Sequence, residues 1–182
     1  MKKLIILAAI CAVIAFAFTS QAQTRSVAFE NTQFGKWVVT TSSTLKPQAG
    51  NHYAPKNAVD GSDKTAWAEA AKGDGIGEWI KITFDSPQKI GTIYVKNGYG
   101  VTSKRWHQNN RIKEATIQVA GGTFPAYLKD IRGEQVVKIP PSMRNTKTKF
   151  VKLTIKKVYR GKKWRDTLLN EFRPDLEEYN YE

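Results

Sequence analysis

The chain is short of the residues that carry most catalytic and redox chemistry. Its 182 residues include one cysteine, Cys11, and two histidines, His52 and His107. Cys11 falls inside an apolar N-terminal stretch that reads as an export leader. The mature chain is therefore expected to hold no thiol, no disulfide, no Cys-based zinc site and no iron–sulfur cluster. Two histidines cannot build a three-histidine metal site, and they leave only two candidates for the base of a Ser-His-Asp triad. Acid is scarce as well, with 16 Asp plus Glu against 29 Lys plus Arg. No segment after the leader is apolar enough to cross a bilayer, which takes about 20 residues.

What is present at the N-terminus is a basic start at Lys2 and Lys3, an apolar stretch over residues 4–18, and Ser20-Gln21-Ala22. Small residues at the −3 and −1 positions are what a signal peptidase requires, so residues 1–22 are expected to be removed. Cys11 is not a lipoprotein cysteine, because Ile10 precedes it where a small residue is needed. The chain left behind is one domain long and can bury about 70% of its unfolded surface. With the leader's two lysines gone, the formal charge falls from +13 to +11. That excess favours anionic partners, among them acidic polysaccharide, lipopolysaccharide, an anionic membrane surface and nucleic acid. Nucleic acid is the weakest of these for an exported domain. Lysines guarding strand edges explain part of the same excess without any partner. Secretion or a periplasmic location follows from the leader, and a cysteine-free exported domain points to a bacterial source.

The apolar period is two almost everywhere. Ile80, Ile82 and Phe84 alternate with Lys81 and Thr83; Ala115, Ile117 and Val119 alternate with Thr116 and Gln118; Val151, Leu153 and Ile155 alternate with Lys152 and Thr154. Ile93 with Val95, Val137 with Ile139, residues 36–41 and residues 168–172 add further strands. Each run places one face in a core and one in water. Turn signals such as Asp60-Gly61, Asn97-Gly98, Gly121-Gly122 and Pro140-Pro141 separate them. The pattern predicts an all-β fold, an antiparallel β-sandwich of the jelly-roll kind, over residues 36–173. Residues 23–35 read as a loose lead-in and residues 174–182 as an acidic, aromatic tail able to fold back on the basic body. Two stretches, residues 44–77 and 97–110, are long loops, and long structured loops on a rigid sandwich are where binding residues gather.

The segment Asn57-Ala58-Val59-Asp60-Gly61-Ser62-Asp63-Lys64-Thr65-Ala66-Trp67 resembles the signature loop of discoidin-like domains, the galactose-binding jelly rolls. With Ser43-Thr44-Leu45, residues 73–80, Asn97-Gly98-Tyr99, Asn109-Asn110-Arg111 and Asp166-Thr167, the chain is similar to the branch known as NADase-type glycan-binding domains. The similarity spans roughly residues 40–172. It implies a non-catalytic jelly roll whose end loops bind carbohydrate.

The residues themselves agree in part. Sugar recognition needs an aromatic face for the apolar side of the ring and polar groups for its hydroxyls. Tyr53, Tyr99, Trp106 and Trp164 lie in or beside the loops, together with Glu69, Asn97, Asn110, Arg111 and Asp166, and these nine are the expected ligand contacts. Loop aromatics also pack as small secondary cores. Trp67, directly after a tight turn, is expected to plug the sandwich, and Trp79 to open a strand. Arg111 is either a fork donor to sugar hydroxyls, a carboxylate or a sulfate, or a salt bridge holding the loops.

The resemblance also implies a structural calcium ion in the signature loop, held by Asp60, Asp63 and Thr65 and closed by Glu171. Calcium takes about six to eight oxygens, which a tight turn of Asp, Thr and carbonyls can largely supply. An Asx-type turn without metal is the alternative, and Lys64 adds unhelpful charge. Residues 73–77 lack the Gly-Lys-Ser/Thr ending of a phosphate loop and precede a strand, which argues against a nucleotide site. Asp74 and Glu78 could pair for glycoside hydrolysis, but a small sandwich offers no evident cleft. A basic cluster over residues 147–165 could grip a polyanion. The expected protein is thus an exported glycan-binding module, with a protein partner or the cell envelope as the alternative ligand.

Overall fold

The computed structural model describes residues 25–31 and 35–176. The expected leader over residues 1–22 and the last six residues of the acidic tail lie outside them. The strands are β1 (Arg25–Asn31), β2 (Gly35–Thr41), β3 (Trp67–Ala68), β4 (Trp79–Gln88), β5 (Ile90–Asn97), β6 (Arg111–Val119), β7 (Gly122–Tyr127), β8 (Glu134–Lys138), β9 (Thr148–Tyr159) and β10 (Leu168–Leu176). A 3-10 turn covers Pro55–Ala58, and short helices α1 (Ser103–Gln108) and α2 (Pro141–Arg144) sit between strands. A six-stranded sheet runs β1-β2-β4-β9-β6-β7 and a four-stranded sheet runs β3-β10-β5-β8. Every strand pair is antiparallel. The sandwich expected from the alternation is the one observed.

The alternation translates directly into the core. Ile80, Ile82, Leu153, Ile155, Ile112 and Ile117 from the larger sheet meet Ile93, Val95, Leu169 and Phe172 from the smaller one, all essentially inaccessible to water. Burying each such side chain contributes about 1.5–3 kcal/mol before the entropy of ordering is subtracted. Trp37 closes one region of this core with an edge-to-face contact to Phe84, the ring centroids 5.3 Å apart.

Two boundaries differ from the sequence reading. The lead-in expected over residues 23–35 contains a strand, β1, which pairs with β2 from Arg25 opposite Thr41 to Asn31 opposite Gly35. Val27 stands opposite Val39 and Phe29 opposite Trp37, so the short run carries the same period of two. At the other end β10 continues to Leu176 beside β5, which takes the first three residues of the expected tail into the sheet. Both strands gain from a paired neighbour that is remote or separated by a turn, which local periodicity does not report.

The basic cluster of residues 147–165 does not form one stripe. Lys152 lies 4.6 Å from the Trp79 ring centroid on the outer sheet face, Lys157 pairs with Glu114, and Arg160 pairs with Asp74. Lys162 and Lys163 lie past the end of β9, beside α1. The strand's alternation and the turn after it split the cluster between a face and an end of the sandwich.

Candidate functional site

The long loops meet at one end of the sandwich. A small apolar cluster of Ala66, Ala68, Tyr99 and Leu168, with Leu45, Tyr53 and Val101 packed against it, forms a satellite core there. It floors a cavity of about 250 Å³ whose walls include Tyr53, Tyr99, Trp164, Asn51, Arg105, Gln108, Asn109 and Asp166. The rings are held by polar partners. Tyr99 Oη donates to Asn51 Oδ1 at 3.1 Å, and Arg105 Nη1 donates to Tyr99 Oη at 3.3 Å. Burial pushes the Tyr53 hydroxyl and the Asp166 carboxyl above their usual ranges. Trp164 differs from the other large aromatics of the site, because 47% of it is exposed. The cavity thus offers an accessible indole, a half-buried and a largely buried phenol ring, a guanidinium donor and a carboxylate acceptor within one small space.

Of the nine expected ligand contacts, the structure brings Tyr53, Tyr99, Trp164 and Asp166 to this cavity. The other five, Glu69, Asn97, Trp106, Asn110 and Arg111, are buried and do not line it. Trp106 faces inward because α1 gives it a helical period of 3.6 that the surrounding polar residues concealed. Its Nε1 donates to Asn97 O at 3.0 Å, and the Arg111 guanidinium stacks 4.5 Å from its ring centroid. Arg111 then makes a bidentate pair with Asp130 at 2.7–3.0 Å and donates to Asn109 O. The salt bridge expected for Arg111 is thus made to Asp130. Asn97 ties β5 to β6 through both atoms of its amide, donating to Ile112 O and accepting from Ile112 N. Asn110 donates to Asp74 Oδ1 and Arg165 O and accepts from Gly161 N. The Asn97-Gly98 pair has a steric origin: Gly98 sits at φ +76°, and a Cβ there would lie 2.5 Å from Arg111 Cγ.

Arg105, Asn51 and Gln108 were not among the expected contacts. Arg105 and Gln108 reach the cavity because α1 turns them outward when Trp106 turns in. The available signal was a helix start, with Thr102 Oγ1 accepting from Arg105 N. Asp74 and Glu78 do not line the cavity. Glu78 accepts from the hydroxyls of Ser42 and Ser43. Burial pushes the Asp74 carboxyl up, but Asn110 and Arg160 outweigh it and hold the group below its usual range. Both carboxylates are engaged in loop packing.

Glu69 is fully buried and accepts from the backbone N–H groups of Thr167 and Ala71. Burial outweighs those bonds and raises its carboxyl from 4.5 to about 7. Between those two values the folded state holds a proton that the unfolded state has released, so stability falls as pH rises through that window. The native chain is expected to lose up to about 3 kcal/mol of stability relative to Glu69→Gln on going from acid to neutral pH. Thermal melts of both proteins across the window check this, and parallel curves would contradict it.

The signature loop sits apart from the cavity. Ser62 N donates to Asp60 Oδ1, an Asx turn, and Thr65 Oγ1 donates to Asp60 at 2.8–2.9 Å. Asp63, largely exposed, pairs with Lys96 at 2.7 Å. Asn170 Nδ2 donates to the carbonyls of Ser62 and Thr65. Glu171 accepts from Gly61 N with one oxygen, while its buried Oε1 has no partner among the described residues. Burial raises its carboxyl to about 7. An orphaned carboxylate oxygen near an Asp, a Thr hydroxyl and two carbonyls is an all-oxygen set that fits calcium. No group of three or more His, Cys, Asp or Glu is placed to hold a metal among the described residues, so such a set would need the Thr65 hydroxyl and the two carbonyls beside its two carboxylates.

Comparison with known proteins gives the domain its relatives. A search of curated proteins finds no match. Among solved structures, the mycobacterial arabinofuranosyltransferase AftD is similar with a TM-score of 0.60 at 15% identity, over 85% of this chain and 12% of that one. The chain thus spans a small part of that enzyme. A family 32 module from Clostridium perfringens, CpGH89CBM32-5, solved with GalNAc-β-1,3-galactose, is similar with a TM-score of 0.58 at 17% identity, over 76% and 94% of the two chains. The family 32 module of NanJ from the same organism, solved with galactose, gives 0.56 at 13%, over 76% and 92%. These likenesses describe the fold. No helix among the described residues is long and apolar enough to cross a membrane. The sequence itself matches a family profile over residues 29–173, and the chain belongs to the NAD glycohydrolase translocation F5/8 type C domain family, a discoidin-like family.

Proposed function

We propose that this protein is an exported, non-catalytic module that binds a glycan in the cavity at the loop end of the sandwich. The observation that carries the reading is the cavity itself: an accessible Trp164 beside Tyr53 and Tyr99, with Arg105 and Asp166 converging on the same space. The indole and phenol faces would cover the apolar side of a sugar ring. Arg105 would donate to hydroxyls and Asp166 would accept from them. Galactosides are the first class to test, because two similar modules were solved with galactose-containing ligands. The basic start, apolar stretch and small-residue site over residues 1–22 support export.

The decisive experiment is a glycan array with the mature protein at low and high salt. Selective binding that survives salt supports the cavity. An empty array, with a protein captured instead, would overturn it in favour of the partner-binding alternative.

We further propose a structural calcium ion on Asp60, Thr65, Glu171 and the carbonyls of Ser62 and Thr65, supported by the orphaned Glu171 Oε1. Such an ion would pin the signature loop to β10. Calcium at about a hundred times its Kd should then stabilise the fold by about 3 kcal/mol. A melting temperature that does not differ between calcium and chelator would remove the ion from the account.

A further inference from the structure

Beside the aromatic cavity lies a second hollow, of about 540 Å³, bordered by Lys104 and His107 of α1 and by Lys162 and Lys163. Gln108 lines both hollows, so the two adjoin across it. The Lys163 ammonium lies 4.7 Å from the Trp164 ring centroid, at the junction of the two.

The lysines converge because the backbone brings them together. Lys162 N donates to His107 O at 2.9 Å, while Lys163 N and Trp164 N both donate to Gln108 O at 3.1 and 2.8 Å. Gly161 makes the approach possible: a Cβ there would lie 2.4 Å from Gln108 O and 2.5 Å from the Asn109 carbonyl carbon. The chain after β9 is thereby docked on the end of α1, and Lys162 and Lys163 share a hollow with Lys104.

No carboxylate borders this hollow. None of its three lysines has an ion-pair partner among the described residues. Close by, Arg160 is matched by Asp74, and farther off Lys96 is matched by Asp63 and Lys157 by Glu114. Three like charges gathered in one concavity repel one another, and an anionic oxygen group placed among them would gain charge-assisted hydrogen bonds. The aromatic cavity beside them offers stacking surfaces with one guanidinium, Arg105, and one carboxylate, Asp166, whose charges offset each other.

We propose that the recognised glycan is acidic, with one sugar ring in the aromatic cavity and a negatively charged group of the neighbouring unit among Lys104, Lys162 and Lys163. This rests on the aromatic cavity being a sugar site. It makes the two hollows a two-part reader: stacking selects a ring, and the lysines select the charge next to it.

The test is calorimetric titration with a galacturonate trimer and the neutral galactose trimer. In the trimer every unit carries a carboxylate, so the register of the chain does not matter. The acidic trimer should bind roughly tenfold tighter than the neutral one, and high salt should reduce that advantage. The combined variant Lys104→Gln, Lys162→Gln and Lys163→Gln, all at exposed positions, should abolish the advantage of the acidic trimer over the neutral one. A matched variant on β9, Lys149→Gln, Lys152→Gln and Lys156→Gln, removes the same charge elsewhere and should retain it. Equal affinity for the two trimers overturns the inference while leaving the sugar site standing. So does an equal loss in both triple variants, which would assign the attraction to net charge. Binding of neither trimer overturns the inference, and the glycan array then decides separately whether the sugar site survives.

Discussion

Trp164→Ala is expected to weaken glycan binding by about a hundredfold, the scale of an aromatic anchor at the centre of a binding site. The indole is the one large, accessible apolar surface of the cavity, at 47% exposure. A ring that exposed contributes little to folding, since it loses little water contact when the chain folds. The variant should therefore melt within about 0.5 kcal/mol of the parent, as surface substitutions do. Affinity by calorimetry and stability by thermal melting separate the two effects. Retained affinity on a folded variant would show that the sugar does not stack there. A large drop in stability would show that the indole belongs to the frame.

Arg111→Ala is expected to do the opposite and cost about 3 kcal/mol of stability. The energy does not come mainly from the charge pair, because Asp130 is partly exposed and can return to water. It comes from what the side chain covers and satisfies. The guanidinium packs over Trp106, and its Nη1 donates to the carbonyls of Asn109 and Arg160. Removing it leaves a cavity against an indole and two backbone acceptors short of a donor. Arg111→Lys should recover little, since an ammonium cannot reproduce the fork toward Asp130 and the planar stack at once. Urea titration of the two variants measures the loss. A cost below about 1 kcal/mol for Arg111→Ala would mean that the loop end does not depend on this clamp.

The two predictions concern residues that look alike from the sequence alone. Both lie near loop rims among polar neighbours, and both suggest ligand contact. Trp164 follows Lys162 and Lys163 in a turn with no regular period, and its backbone bond to Gln108 leaves the ring outside. Arg111 opens β6 and is drawn under Trp106 by a residue 19 positions away, Asp130. Asn110 behaves similarly, with partners at Asp74, Gly161 and Arg165. Nothing local to either residue states those partners.

What the amino-acid order determined by itself was the class of fold and where its long loops fall. A period of two with β-branched residues is a local property, and it places one face of each strand inside regardless of what the other strands do. The turn residues and the signature loop are likewise local, which is why the sandwich and its long loops were legible. Which loop residues line the cavity was decided only by tertiary packing. Six residues of helix around Trp106 rotated that ring inward and turned Arg105 and Gln108 out. The docking of residues 161–164 on the same helix then made two adjoining hollows from segments more than fifty residues apart. Burial and charge in such a place are set by contacts between distant parts of the chain.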